Sequence, residues 1–225
     1  MPEPIARRLK AAHPEVALLG EEGVAGDPNA QYRWVVDPID GTVNSAYGIP
    51  HACVSIAQER VEGRGSKIER PSQPSTLDAG HSTLLGVVYD PFTDELWTAR
   101  RGGKARLNGR VIHVSRRRDL AECVVSIGFA KDRASLKRAL PYFIWLAHRV
   151  RKIRMLGSAA MGLTYVATGR LDAYIERGVN LWDIAAGGLI LECAGGKFWR
   201  DPGSHGKYRM VASNGLLHRK LPAPK

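Results

Sequence analysis

Short apolar runs alternate with polar turns along most of the chain, and this pattern predicts many strands and few helices. The clearest run is 34–36, where three apolar residues are followed at once by acidic and turn-forming residues. A short apolar run bounded in this way is typical of a buried strand. Similar runs predict further strands at 15–19, 52–57, 83–89, 95–100, 124–129, 171–175, 197–199 and 208–212.

Four segments have the spacing or composition of helices. Residues 5–12 form a short amphipathic helix, and 134–149 form another, in which Pro141 is interpreted as a possible start of a second helix. A third helix follows Gly157 and closes at Gly169, and the Ala- and Gly-rich segment 184–194 is apolar enough to be buried. Gly195-Gly196 stops this last helix.

The middle of the chain is predicted to be an antiparallel sheet with one unusual connection. Asn108-Gly109 is a strong hairpin signal within 104–114. Residues 59–82 instead mix Gly, Pro, Ser and charged residues, which favours a flexible surface insertion. The polar stretch 23–31 is interpreted as a simple connection between strands.

The composition is that of a globular protein. The 225 residues are 44% hydrophobic and 24% charged, which suits a single domain, 1–225, with sub-lobes at about 1–115 and 116–225. No apolar stretch approaches the roughly 20 residues of a membrane span, and the first residues lack the apolar core of a secretory signal. We therefore expect a soluble, cytoplasmic protein without a membrane partner, although an organelle address upstream stays open.

Cysteine usage and charge narrow the possible partners. Cys53, Cys123 and Cys193 form neither a zinc pattern nor a disulfide framework, and each is interpreted as a buried filler. The net charge of +11 fits either nucleic acid or an anionic substrate. Because the basic residues are dispersed apart from 116–118, without interleaved aromatics, we expect a solvated basic surface and no nucleic-acid partner.

The stretch after the clearest apolar run carries the candidate chemistry. Pro38 keeps Asp37 extended at the strand end, and Gly41 allows a close turn that brings Asp37, Asp40 and the Thr42 hydroxyl together. Two neighbouring carboxylates repel each other unless a cation neutralises them, and a hard divalent cation prefers oxygen ligands. An Asp-rich turn in water is the simple alternative, but the complete string favours a metal site.

Two other acidic positions support this interpretation. The strand at 15–19 delivers Glu21 and Glu22 to a loop, so two successive strands end in carboxylates. Asp183 directly precedes the apolar helix and is predicted to be its N-cap, a position at which one carboxylate oxygen stays free for a metal. Taken alone, each of these acids has an ordinary structural explanation.

Together, the motifs resemble those of the inositol monophosphatase family, which belongs to a metal-dependent, lithium-sensitive phosphatase superfamily. The matching motifs are Gly20-Glu21-Glu22, Asp37-Pro38-Ile39-Asp40-Gly41-Thr42-x-Asn44, Trp182-Asp183-x-Ala185-Ala186-Gly187 and Ala194-Gly195-Gly196. They occur in the family's order over about 15–215. The resemblance implies an α/β (α+β) layered sandwich of the sugar-phosphatase type, with mixed sheets between helix layers, and a homodimer.

The resemblance also implies roles for individual residues. Two Mg²⁺ ions would be held by carboxylates and one main-chain oxygen, with room for a third, weaker ion during turnover. The implied ligands are Glu21, Asp37, the main-chain oxygen of Ile39, Asp40 and Asp183. Glu21, Asp40 and Thr42 would be catalytic, with Thr42 and Glu21 activating the water. The implied substrate contacts are Gly41, Thr42, Gly157, Ser158, Ala159 and Glu176, and for Glu176 a surface acid at a strand end remains an equal alternative.

The chain departs from the family pattern in three places. The family has about two helices and a Thr-x-x-Asp segment before its Gly-Glu-Glu motif, whereas 20 residues precede Glu21 here, so an N-terminally shortened member is expected. The Asp of that segment pairs in the family with the Thr that matches Thr42. Ser45 replaces a usual aromatic residue, and 59–82 replaces a tight turn.

The sequence therefore predicts Mg²⁺-dependent hydrolysis of a small phosphate monoester, first of all inositol monophosphate. Asn44 favours inositol phosphatases over nucleotide phosphatases, but histidinol phosphate, other sugar phosphates and a nucleotide 3'-phosphate stay open. An alternative of another class is a catalytically weakened paralogue that binds anions or a protein partner.

Overall fold

Two mixed β-sheets organise the computed structural model, which describes residues 3–61, 81–129, 133–203 and 206–222. The first sheet has the order β2-β1-β3-β4-β5-β6-β7-β8, and only its β1–β3 pair is parallel. Its strands are β1 (Ala17–Gly20), β2 (Gly23–Ala25), β3 (Tyr32–Asp40), β4 (Cys53–Val61), β5 (His81–Asp90), β6 (Glu95–Arg100), β7 (Arg106–Leu107) and β8 (Arg110–Val111).

The second sheet has the order β10-β9-β11-β13-β12, with β9 parallel to both β10 and β11. Its strands are β9 (Val124–Phe129), β10 (Lys152–Arg154), β11 (Ala173–Val179), β12 (Lys197–Pro202) and β13 (Tyr208–Ser213). The helices are α1 (Glu3–Ala12), α2 (Thr42–Ala46), α3 (Arg133–Ala147), α4 (Ala159–Ala167) and α5 (Leu181–Cys193), with short 3-10 helices at Leu120–Glu122 and His218–Lys220.

Helices lie between and outside the sheets. α4 and α5 fill the space between the two sheets and supply about half of the main hydrophobic core. α1 covers the outer face of the first sheet through Ile5 and Leu9, and α3 covers the outer face of the second sheet through Leu146. The layered α+β sandwich predicted from the sequence is confirmed. Its division into two sub-lobes stays a prediction.

Glycines let α5 approach both sheets closely. A Cβ atom on Gly86 of β5 would lie 2.7 Å from the carbonyl oxygen of Ala186, and one on Gly188 would lie 2.4 Å from the ring of Phe198 in β12. Contacts this short cannot accommodate a side chain. The Ala- and Gly-rich composition of α5 is therefore what allows one helix to pack between two sheets.

Several elements differ in extent from the sequence predictions. The strand predicted at 34–36 is much longer, because β3 continues through both aspartates to Asp40. The predicted connection 23–31 is partly wrong, since Gly23–Ala25 pairs back onto β1 as a hairpin. The hairpin at Asn108-Gly109 is confirmed, with φ values of 46° and 78°.

The interpretation of Pro141 as the start of a second helix is wrong. α3 is continuous from Arg133 to Ala147 with Pro141 inside it. Pro141 lies on the exposed side of this helix, where its fixed φ fits the helix and water can satisfy the carbonyl that loses its partner. The predicted insertion at 59–82 overlaps the end of β4 and the start of β5, and its residues 62–80 lie outside the described part of the chain. None of the described helices combines the length and apolarity needed to cross a membrane.

Candidate active site

An irregularity in β3 brings its two aspartates to the same side. Residues three apart on a regular strand point to opposite faces of the sheet. The pairing of β3 with β4 shifts register between Asp37 and Asp40, which is the effect of a bulge. As a result both carboxyl groups are buried, with exposures of 3% and 8%.

Gly41 makes the turn that follows these aspartates possible. Its φ is 95°, and a Cβ atom there would lie 2.9 Å from the carbonyl oxygen of His51. Only glycine meets both conditions without strain. The turn starts α2, whose first residue, Thr42, donates its hydroxyl to the main-chain oxygen of Ile39 at 3.1 Å. The Ile39 amide in turn donates to Asp37 Oδ1 at 3.0 Å.

The N-terminus of α4 anchors Asp40. Its Oδ2 atom accepts hydrogen bonds from the Ser158 hydroxyl at 2.7 Å and from the Ala160 amide at 2.6 Å. The Ser158 hydroxyl also accepts from the Met161 amide at 3.3 Å, so Ser158 is the N-cap of this helix. The positive end of the helix dipole and these donors stabilise the ionised carboxylate. Two of the three predicted substrate contacts in this turn, Ser158 and Ala159, are thus placed directly beside Asp40.

Replacement of Ser158 by Ala is expected to lower the free energy of unfolding by about 1 kcal/mol, because the helix loses its side-chain cap. Urea denaturation of the purified protein measures this change. Ser158→Thr keeps a hydroxyl at the same position and is the matched control, for which a much smaller loss is expected. Equal stability of Ser158→Ala and the unchanged protein would contradict the capping role.

Asp183 lies at the start of α5, but not at the predicted position. The N-cap is Asn180, whose main-chain amide donates to Asp183 Oδ2 at 2.7 Å, while the Asn180 side chain donates to the same oxygen at 3.2 Å. The N-cap prediction for Asp183 is therefore wrong: α5 begins earlier, since Asn180 is itself a favoured capping residue. The charge of Asp183 also acts on Asp37 and contributes to the raised pKa of that residue.

A cavity of about 370 Å³ lies between β3, α4 and β11. Six of the predicted site residues line it, namely Asp40, Gly157, Ser158, Ala159, Glu176 and Asp183. Glu176 lies in the middle of β11 and faces this cavity, so the alternative of a surface acid at a strand end is wrong. The other five predicted site residues do not line the cavity: Asp37 and Gly41, which lie beside Asp40 in sequence, are buried, and Glu21, Ile39 and Thr42 are exposed.

Burial and mutual repulsion perturb the acids of this site. Burial raises the pKa of Asp37 to about 8, and the charges of Asp40, Asp183 and Glu21 add to the effect. Burial and the charge of Asp183 raise the pKa of Asp40 to about 7, even though Ser158 and α4 oppose the shift. Burial also raises the pKa of Asp183, and burial with the charges of Asp40 and Asp183 raises that of Glu176 to about 8.

These acids fit a hard divalent cation by their chemistry. Within the described ranges no Lys or Arg forms an ion pair with any of the site acids, which are Glu21, Asp37, Asp40, Glu176 and Asp183. The charge of Lys207 acts on Asp183 alone among them. In those same ranges, the side chains of Asp, Glu, His and Cys form no group of three that could hold one metal ion without rearrangement. The donors are nevertheless carboxylate and carbonyl oxygens, the ligands that Mg²⁺ prefers, and positive charge would relieve the repulsion that raises their pKa values.

Sequence analysis missed several contacts that build the site. The Asn44 amide donates to the main-chain oxygens of His51 and Leu156, both at 2.8 Å, and so joins α2 to the turn before α4. Cys53 is buried as predicted, but its sulfur lies 3.8 Å from the Ser158 hydroxyl, inside the site. Tyr174 donates its hydroxyl to Glu176. No local sequence signal indicates these pairings, because the partners are distant in sequence or require a known strand face.

The chain is similar in sequence to known proteins over most of its length. The sequence model of the inositol monophosphatase family matches residues 3–61 and 77–223. The chain is 41% identical over 193 residues to a protein of Xylella fastidiosa named Nus factor SuhB, which covers 85% of this chain and 63% of that protein. It is 38% identical over 218 residues to an inositol-1-monophosphatase of Synechocystis, which covers 95% of this chain and 69% of that protein.

The fold agrees with a solved structure. The structure of an inositol monophosphatase from Anabaena superposes with a TM-score of 0.79 at 34% sequence identity, covering 96% of this chain and 81% of that chain. This likeness extends over both sheets and the helices between them. The chain nevertheless spans only 63% of the length of its Xylella relative.

Proposed function

Since the chain belongs to the inositol monophosphatase family, we propose that it is a Mg²⁺-dependent phosphatase that hydrolyses a small phosphate monoester. The observation that supports this proposal is that the buried Asp37 and Asp40 of β3 lie close enough to Asp183 of α5 for its charge to raise the pKa of both. Uncatalysed hydrolysis of phosphate monoesters is extremely slow. An enzyme for it mainly positions water and neutralises charge, and a cluster of carboxylates around cations suits both tasks.

Five residues would hold the ions: Glu21, Asp37, Ile39 through its main-chain oxygen, Asp40 and Asp183. Two ions, with room for a third, fit the number of carboxylates. Bound there, Mg²⁺ would supply neutralisation of phosphate charge and acidification of a nearby water molecule. The buried carboxylates would release their protons as they take up this role, because metal ligands must be ionised.

The remaining residues would orient and activate the water and hold the substrate. The Thr42 hydroxyl donates to Ile39, so its oxygen lone pairs are available to accept a hydrogen bond from the attacking water. The exposed carboxylate of Glu21 would accept the proton of that water. Gly41 and the turn Gly157, Ser158 and Ala159 would face the phosphate, and Glu176 would face the organic group of the substrate.

We infer inositol monophosphate as the first substrate to test, because the Synechocystis relative is named for it and Asn44 matches the inositol-type motif. Histidinol phosphate, other sugar phosphates and a nucleotide 3'-phosphate are the alternatives. A homodimer in the cytoplasm remains the expected state.

A second candidate function is binding of an anionic partner without catalysis. The Xylella relative is named a Nus factor, and this chain has a net charge of +11. Its basic run Arg116, Arg117 and Arg118 lines an open cavity of about 700 Å³ away from the carboxylates. Arg117 is already paired with Asp172 at 3.0 Å, and two acids, Asp119 and Glu122, line the same cavity, so the carboxylate site favours the phosphatase.

Purified protein is expected to release phosphate from inositol monophosphate only when Mg²⁺ is present. A phosphate-release assay with and without a chelator, over a panel of the four substrate classes, measures this. Removal of Mg²⁺ should reduce the rate to background and its return should restore the rate. If the folded protein shows no turnover on any substrate, or turnover that ignores Mg²⁺, the phosphatase proposal is wrong and the binding function is favoured.

A further inference from the structure

A buried tyrosine contacts the acid that faces the organic end of the cavity. Tyr174 and Glu176 are two residues apart on β11 and therefore lie on the same face of the sheet. The Tyr174 hydroxyl donates a hydrogen bond to Glu176 Oε2. Tyr174 is 4% exposed, and both side chains line the cavity of the candidate active site. The pair is thus part of the cavity wall.

Two glycines provide the space for this pair. Gly128 of β9 is the register partner of Glu176, and a Cβ atom there would lie 2.3 Å from the carboxyl carbon of Glu176. Gly162 of α4 packs on the Tyr174 ring, where a Cβ atom would lie 2.7 Å from Cδ1 and Cε1. Neither contact tolerates a side chain. The backbone on both sides is therefore shaped to hold the Tyr174–Glu176 pair in one arrangement.

The electrostatic surroundings explain why the carboxyl group needs to be held. The negative charges of Asp40 and Asp183 act on Glu176 across the same cavity, so in the ionised form repulsion favours any rotamer that turns the carboxylate away from them. The hydrogen bond from Tyr174 opposes such a turn. It uses Oε2 only, while Oε1 accepts no hydrogen bond from any residue that the structure describes. That oxygen is available to a ligand in the cavity.

We propose that Tyr174 is a positioning residue, which fixes the orientation in which Glu176 makes its proposed contact with the organic group of the substrate, with Oε1 as the free acceptor. Loss of the Tyr174 hydroxyl should therefore weaken discrimination in favour of substrates with a hydroxyl at that place. A site that is built to bond a hydroxyl discriminates against substrates that lack it, since the buried acceptor is left unpaired. This inference rests on the proposed phosphatase function.

The test compares two substrates across matched variants. Inositol monophosphate offers ring hydroxyls to Glu176, whereas p-nitrophenyl phosphate offers none. Tyr174→Phe is expected to lower kcat/KM for inositol monophosphate by about 5- to 10-fold, mainly through KM, as expected for the loss of about one hydrogen bond. The value for p-nitrophenyl phosphate should change by less than about twofold. Tyr142→Phe is the control, because the Tyr142 hydroxyl is buried in α3 and has no hydrogen-bond partner in the described structure.

Two further variants separate positioning from a general structural effect. Gly128→Ala should displace the Glu176 carboxyl and shift the ratio of the two kcat/KM values in the same direction as Tyr174→Phe. Glu176→Gln should lose the preference for inositol monophosphate over p-nitrophenyl phosphate. Adding Tyr174→Phe to Glu176→Gln should change the ratio of the two kcat/KM values little further, because both substitutions act through one contact. Melting temperatures identify any variant that is merely unfolded.

The outcomes are distinct. If the unchanged protein hydrolyses neither substrate, the proposed function fails and this inference fails with it. If it hydrolyses both but Tyr174→Phe and Gly128→Ala, both folded, leave the ratio unchanged, the inference alone is overturned. Equal losses of kcat/KM on the two substrates in Tyr174→Phe would likewise overturn the inference, because they would show that Tyr174 has only a structural role.

Discussion

Replacement of Asp40 by Asn is expected to abolish Mg²⁺-dependent phosphate release while leaving the fold intact. The Asn oxygen can still accept the hydrogen bonds from Ser158 and Ala160 that anchor Asp40. The negative charge is lost, however, and with it one of the few carboxylates that could hold the ions. Loss of a residue that only supports a metal ligand costs roughly 10- to 100-fold, so a loss of more than about 100-fold is expected here.

The same substitution should act on stability in the opposite direction. Asp40 is buried and repelled by Asp183, so a neutral side chain removes an unfavourable charge from the metal-free protein. We expect a higher melting temperature in a chelator at pH 8, by roughly 2–4 °C for each 1 kcal/mol relieved. Loss of activity with gain of stability is the signature of a functional site rather than of a packing position.

Asp90→Asn is the matched control for this experiment. Asp90 is also buried, at 1% exposure, but its carboxylate accepts hydrogen bonds from the Phe92 amide and the Thr93 hydroxyl, both at 2.8 Å, in a turn outside the cavity. Its replacement should lower the melting temperature and leave the response to Mg²⁺ unchanged. Full activity of folded Asp40→Asn would exclude Asp40 from the metal site.

The metal-free protein is expected to lose stability as the pH rises from about 4 to about 8. The pKa of Asp37 is about 8 in the folded chain against 3.8 for an ordinary aspartate, and that of Asp40 is about 7. Between these values the folded chain keeps protons that the unfolded chain has released. The free energy of unfolding therefore falls with rising pH through this window. Mg²⁺ binds the ionised carboxylates, so it should restore stability most at the alkaline end.

Melting temperatures in a chelator and in Mg²⁺, measured between pH 5 and 9, test this expectation. The comparison is with Asp37→Asn, because the difference between the two proteins removes the titration of all other groups. In a chelator, the melting temperature of the unchanged protein should fall relative to that of Asp37→Asn as the pH rises. Mg²⁺ should reduce this difference in melting temperature. Parallel curves for the two proteins would show that Asp37 does not titrate in this range.

Local chemistry explains why the β3 motif was so informative. Pro38 restricts its neighbour to extended backbone, and β3 does continue through Asp37. Gly41 adopts a φ of 95°, as a close turn requires. Both effects depend on adjacent residues alone, so the sequence was sufficient to predict an extended Asp37 and a close turn at Gly41. The bulge that turns both carboxyl groups inward depends on β4 and was not foreseen.

Elements whose position depends on packing were predicted less well. A helix at 134–149 is predicted from the sequence, but whether Pro141 interrupts this helix depends on which of its sides faces solvent. The start of α5 differs from the prediction because Asn180 and Asp183 are both good capping residues. Asn180 takes the cap position, and Asp183, the third residue of the helix, accepts hydrogen bonds from the Asn180 amide and side chain.

The sequence by itself determined the strands and helices that hydrophobic period and turn chemistry predict, and the motifs that carry the family resemblance. That resemblance in turn implied the layered α+β class and the acids that could bind a metal. Tertiary structure alone decided how the acids are held. Ser158 bonds Asp40 across 118 positions of sequence, and Gly128 makes room for Glu176 from a neighbouring strand. These residues meet only when the sheets and helices pack together. Because packing of the whole core stabilises that arrangement, no single segment of the sequence determines which residues meet.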